Sequence, residues 1–153
     1  MSRGFSQRRR RSRKNLVVAT ANTTTYTKIP FVEADLLLVQ EIKSVAAGIE
    51  SMKKHVRRES KYTQLMTGPS VTTEKGGTSA GVAICATNRN VLGVPKDVCE
   101  FSYSLPESRV VLGMYGGLGK AGVVVGSVYL HTNQDLSGEN NEILKALAEA
   151  VNM

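Results

Sequence analysis

The chain contains no tryptophan, and aromatic residues make up only 5% of its 153 residues. That scarcity argues against a stacking platform for single-stranded nucleic acid, which needs interleaved rings. Cysteine is almost as rare. Cys85 and Cys99 match no metal-ligand or C-x-x-C spacing, so they read as free buried thiols in a reducing compartment. No apolar run approaches the roughly 18–20 residues of a membrane span. The basic N-terminus is not followed by the apolar stretch of a secretory signal. The expectation is an intracellular protein with no membrane contact. Residues 1–14 lack acids altogether while carrying Arg3, Arg8, Arg9, Arg10, Arg11, Arg13 and Lys14. With these seven set aside, the remaining 13 basic residues balance 13 acids, so the net charge of +7 belongs to the tail. Such a block is expected to be disordered when free. It reads as a nuclear address, as a nucleic-acid tether through phosphate contacts, or as a solvated extension without a specific role.

What remains, residues 15–153, is long enough for one domain with a real core, and the 41% hydrophobic content of the whole chain is ordinary for a globular protein. Its most informative stretch is Asp35-Leu36-Leu37-Leu38-Val39-Gln40-Glu41. Four consecutive aliphatics predict a strand buried on both faces. A carboxylate at the end of such a strand has to meet water, a cation or a metal. Leu16 to Asn22 reads as a second buried strand ending in a polar group. A carboxylate and an amide delivered at strand ends suit a hard cation such as magnesium.

The spacing predicts strands at 15–22 and 36–41 and a helix over 44–60, with Val45, Ile49, Met52 and Val56 on one face and Lys53, Lys54, Arg57 and Arg58 away from it. A strand at 61–66 and a loop over 68–78 are expected to follow. Further strands are expected near 80–87, 99–104, 108–114 and 122–131. In the last, Val123, Val125, Ser127, Tyr129 and His131 share a face. Ser137 is expected to cap a final helix with Leu144, Leu147, Ala148 and Val151 as its apolar stripe. The order predicts an α/β layered fold with much antiparallel pairing.

Gly117-Leu118-Gly119-Lys120-Ala121-Gly122 fits G-x-G-x-x-G, but a strand follows where a dinucleotide site needs a helix. A hairpin turn is the better reading. Each polar strand end also has an ordinary explanation. Glu41 can pair with Lys43, Asn22 can cap a turn, and Tyr129 can be half-buried packing. His131 can act as a base, but one histidine at a strand end says little. What raises them is their order: Asn22, Glu41, then Tyr129 with His131, each at the end of a strand.

In that order the segments resemble the endonuclease/exonuclease/phosphatase superfamily of magnesium-dependent phosphodiesterases. Thr20-Ala21-Asn22 is similar to its first strand ending in asparagine, and Asp35 to Glu41 to its second strand ending in Gln-Glu. Gly77 to Ile84 is similar to its Gly-Gly-Val-Ala-Ile strand, and Ser127-Val128-Tyr129-Leu130-His131 to its Val-Tyr-Pro segment. The resemblance spans residues 16–151 and covers the N-terminal half of the family domain. It implies half of a four-layer α/β sandwich, a mixed, mostly antiparallel sheet with helices on the outer face. It further implies Glu41 as ligand to magnesium or manganese, Asn22 positioning metal or phosphate, and Tyr129 on the scissile phosphate. His131 stands where relatives often carry proline, which leaves its role open.

The family's Asp-x-Asn, its second aspartate and its Asp-His pair have no counterpart in this sequence. The implied activity is therefore a truncated one, with inefficient hydrolysis expected of the 153-residue chain. One sheet face is expected to lie open and to favour self-association or a covering partner. A non-catalytic nucleic-acid-binding or interaction protein using its Arg tail, and a retrotransposon endonuclease remnant, are the alternatives.

Overall fold

The computed structural model describes residues 17–30, 32–87, 108–115, 123–132 and 135–151. The Arg-rich tail, the expected strand at 99–104, Cys99 and the glycine-rich 116–122 lie outside the described residues. Among the described residues, eight strands and two α-helices follow one another. They are β1 (Val18–Asn22), β2 (Leu36–Gln40), α1 (Ile49–Glu59), β3 (Gln64–Gly68), β4 (Val71–Thr72), β5 (Thr78–Ser79), β6 (Val82–Ala86), β7 (Val110–Tyr115), β8 (Val123–Val128) and α2 (Glu139–Val151).

The main sheet has the order β1-β2-β6-β3. Strand β1 runs parallel to β2, and β6 runs antiparallel to both β2 and β3. Strands β2 and β3 are therefore parallel, with α1 as the crossover between them. Alternation along the two central strands sends side chains to opposite faces. Leu37 and Val39 of β2 and Ala83 and Cys85 of β6 meet Met52 and Val56 of α1. On the other face, Leu36, Val82, Ile84 and Ala86 meet Val111 and Tyr115 of β7. Strands β7 and β8 pair antiparallel, Val110 opposite Val128, as two arms of a hairpin. The outward face of that hairpin, Val110 and Leu112 with Val128 and Leu130, receives Ile143, Ala146 and Leu147 of α2. The layers run α1, main sheet, hairpin, α2, a mixed α/β sandwich with helices outside.

Several expectations change. The main sheet does not leave its second face open, because the hairpin covers it over β2, β6 and β3. Strand β1 is not buried on both faces: it is an edge strand on which Ala19 and Ala21 pack inward while Val18, Thr20 and Asn22 are exposed. A four-stranded sheet is wider than a two-stranded hairpin, so β1 overhangs. The first helix begins later than its period suggests. Val45 bridges Ser70 instead of joining the helical face, and Ala46–Gly48 form a 3-10 turn before Ile49. The loop at 68–78 contains the small β4–β5 ribbon. Ser137 does not bond α2; its hydroxyl donates to Asp135. The buried stripe of α2 is centred on Ile143, with Ala148 exposed. Among the described residues no helix is long and apolar enough to cross a membrane.

Candidate functional site

The C-terminal ends of β1 and β2, the start of β6 and the 108–109 and 129–131 ends of the hairpin lie along one edge of the sandwich. Register fixes this: Asn22 lies opposite Gln40, Gln40 opposite Val82, and the amide of Gly81 donates to the Ser108 carbonyl at 2.8 Å. Backbone strain gathers at the same edge. Thr24 (φ 58°), Glu41 (φ 58°), Lys43 (φ 49°) and Ala80 (φ 61°) are the described non-glycine residues with positive φ. Left-handed geometry costs an L-residue roughly 1–2 kcal/mol, and such residues concentrate at functional sites where surrounding structure over-determines them.

The surroundings that hold Glu41 are visible. Immediately after it, the Ile42 amide donates to Gly81 O at 3.2 Å and its side chain is fully buried. Burying Ile42 fixes the path of the chain and turns Glu41 outward at the edge. Across the sandwich, 88 residues away in sequence, the Tyr129 hydroxyl donates to Glu41 Oε1. The second carboxylate oxygen of Glu41 has no protein partner among the described residues. The Tyr129 hydroxyl is raised above its ordinary value of 10.0, first by its hydrogen bond to Glu41, then by burial and by the negative charge of Glu41. Arg109 opposes the shift: its guanidinium carbon sits 5.0 Å from the Tyr129 ring centroid. That guanidinium also reaches the Leu130 carbonyl at 3.3 Å.

A polar tie sets this register. Gln40 Nε2 donates to the Ser127 hydroxyl at 3.0 Å, and that hydroxyl donates to the Val39 carbonyl at 3.0 Å. On its other side, Gln40 Oε1 accepts from the Thr20 hydroxyl at 3.2 Å. Gln40 thus joins β1, β2 and β8. Ser127 lies two residues before Tyr129 on the same face of β8, so fixing one brings the other to Glu41.

No protein-family model matches the chain, and no curated protein does. The site therefore stands on its geometry.

Of the residues singled out in the sequence, Glu41 and Tyr129 meet. Asn22 reaches the same edge, but its Oδ1 accepts from the Thr24 amide at 3.3 Å, the turn-capping role, and it touches neither of them among the described residues. His131 turns toward α2: its Nε2 lies 3.0 Å from Glu139 Oε2, and Asn140 Oδ1 accepts from its backbone amide at 2.7 Å. Past the end of β8 at Val128, Tyr129 and Leu130 still pack on alternate faces, and the chain leaves that alternation at His131. Arg109 carried no sequence signal of its own, while Gln40 and Ser127 were part of the quoted segments without a role assigned to either. Arg109 becomes visible only through pairing, since its carbonyl accepts from the Tyr129 amide at 2.8 Å.

Glu41 is a single carboxylate, and among the described residues no group of three or more His, Cys, Asp and Glu side chains converges. That donor set fits magnesium held largely by water and substrate oxygens, since this ion keeps several waters and takes one or two carboxylates. It does not fit a dehydrated cage.

Proposed function

We infer that this chain is a magnesium-dependent phosphodiesterase module of the endonuclease/exonuclease/phosphatase kind, acting on phosphodiester bonds of nucleic acid at the Glu41 edge. The observation that supports it best is the meeting of Glu41 and Tyr129. Their roles follow from a resemblance read in separate segments, and the fold brings them into one hydrogen bond at a strained edge. Glu41 would anchor a hydrated magnesium or manganese ion through its unpartnered oxygen. The ion, when bound, supplies positive charge to offset what builds up on the phosphoryl oxygens. Tyr129 holds the carboxylate in one orientation; its single hydroxyl hydrogen serves either Glu41 or a phosphate oxygen, so contact with substrate would release the bond to Glu41. Arg109, above the ring, adds a permanent cation within reach of the same anion. Asn22 supplies an exposed amide along the edge.

A single carboxylate and no positioned base among the described residues predict inefficient turnover. Metal binding therefore gives the decisive readout. Titrating manganese into the full chain should broaden the backbone amide signals around Glu41 and Tyr129, and Glu41→Gln should abolish that broadening. Broadening that survives in Glu41→Gln, or that centres on the carboxylates of α2, sinks the proposal. Hydrolysis of a generic phosphodiester is expected to be no faster for the wild type than for Glu41→Ala.

A further inference from the structure

The 13 basic and 13 acidic residues outside the tail cancel in sum, but the fold separates part of them. The helix α1 carries four cations, Lys53, Lys54, Arg57 and Arg58, against Glu50 and Glu59. Lys61 follows it, and Lys28 sits on the 3-10 turn Tyr26–Lys28 that packs against it. The helix α2, on the far side of the sandwich, carries Glu139, Glu142 and Glu149 against Lys145.

We propose that the outward face of α1 is a contact surface for the phosphate backbone of a nucleic acid, separate from the Glu41 edge. The inward face is committed to the core through Met52 and Val56, so Lys54, Arg57 and Arg58 are set outward by the same period, with the partly covered Lys53 on the flank. Lys53 with Arg57 and Lys54 with Arg58 are like-charge pairs four residues apart, an arrangement that disfavours an isolated helix. The negative end of the helix dipole accounts for Arg57 and Arg58 in the last turn. It does not account for Lys53 and Lys54 in the middle, nor for Lys28 on the turn packed against the helix. Carboxylates offset half of the helix's four cations, Lys53 with Glu50 at 3.8 Å and Arg58 with Glu59 at 2.8 Å, on a surface where both acids are exposed. The ammonium groups of Lys54 and Lys28 have no partner among the described residues.

Composition decides what this surface fits. A protein partner wants an apolar or aromatic centre inside a polar rim. The exposed large hydrophobic residues of the described chain are Val17, Val18, Val32, Val71, Val124 and Leu136, and none lies on α1. A face of cations without an apolar centre suits phosphates. Cations four residues apart are about 6 Å apart along the helix axis, less than two phosphate steps of about 3.4 Å along a duplex strand. The surface does not depend on Glu41 binding a metal.

The test measures binding of the full chain to a mixed-sequence DNA duplex as a function of salt. Each phosphate contact contributes about 0.9 to the slope of log K against log salt, so Lys53→Gln with Lys54→Gln should lower the slope by nearly 2. A matched pair that removes the same charge elsewhere, Lys75→Gln with Lys145→Gln, should lower it by less than about half a unit. None of these four side chains belongs to the buried core, and equal unfolding midpoints will establish intact folding. Equal slopes for the two pairs overturn the proposal, because the effect is then net charge alone. An unchanged slope with loss of a self-associated species overturns it in favour of α1 meeting the acidic α2 of a second copy. Glu41→Gln should leave the slope as it is, so a failed metal site and a failed α1 surface give different results.

Discussion

The two helical layers of this sandwich solve the same problem with unequal means. Helix α1 lies on a four-stranded sheet, and its Met52 and Val56 enter a cluster that includes Leu37, Val39, Ile42, Tyr62, Leu65 and Cys85. Helix α2 lies on a two-stranded hairpin and shares a much smaller cluster, Ile143 with Val110 and Leu112. Apolar burial is roughly proportional to area removed from water, so the first layer holds its helix more firmly. The difference also explains the overhang of β1, since two strands cannot cover four. Loops from both sheets meet at the strand-end edge, and the strained residues and Glu41 lie there.

Truncating one core residue in each helix tests the comparison most strongly. Met52→Ala is expected to cost about 4 kcal/mol and Ile143→Ala about 2 kcal/mol, the upper part and the lower end of the usual range for such changes. Denaturant unfolding measures both, and equal costs would mean that the hairpin layer is as well packed as the sheet layer. A pair of glycines gives a second contrast. Gly81 has φ +89°, and an added Cβ would run into the Ser70 hydroxyl and come within 2.7 Å of Ile42 Cγ1. Gly138, ahead of α2, has φ +61° with open space around it. Gly81→Ala should cost about 3 kcal/mol through backbone strain and overpacking together, and Gly138→Ala about 1 kcal/mol through strain alone. Matching thermal shifts would contradict this account of the crowded edge.

The smallest effect concerns the bond that stitches the two regions together. Removing the Tyr129 hydroxyl with Tyr129→Phe should cost about 1 kcal/mol. Its pH dependence has a definite sign. The folded-state value of Tyr129 is raised above 10.0, so the stabilisation is complete below pH 10.0 and is lost as pH climbs through the folded value. Stability curves of wild type and Tyr129→Phe should converge in that alkaline window, with the titrations of Tyr62, Tyr115 and Cys85 common to both. A gap that stays constant across it would show that the hydroxyl contributes no ionisation-linked stability. Cys85 itself is pushed up to about 12 by burial, so it stays a thiol at neutral pH.

Much of the fold was legible in the order of the residues. The run Leu36 to Val39 announced a central strand, the Ile49, Met52 and Val56 spacing announced α1, and the valines from Val123 announced β8, because burial and backbone period are local properties. The run of valines could not show where β8 ends, and the apolar spacing could not show that Val45 would leave the helix to bridge Ser70. Those boundaries are set by neighbours distant in sequence. The site was half legible for the same reason. Glu41 and Tyr129 stood out as polar ends of apolar strands, while Arg109, Gln40 and Ser127 are ordinary residues whose importance comes from what faces them.

By itself the sequence determined which segments must be buried, which strand ends carry polar groups, and that the charge outside the tail sums to zero. Only the tertiary structure decided that Tyr129 meets Glu41 while His131 turns to Glu139, that the hairpin covers the second face of the sheet, and that the neutral sum divides into a basic α1 and an acidic α2. The physical reason is range: alternation and helical period act over a few residues, whereas hydrogen bonding between strands 88 residues apart and the sidedness of charge depend on how the layers close on one another.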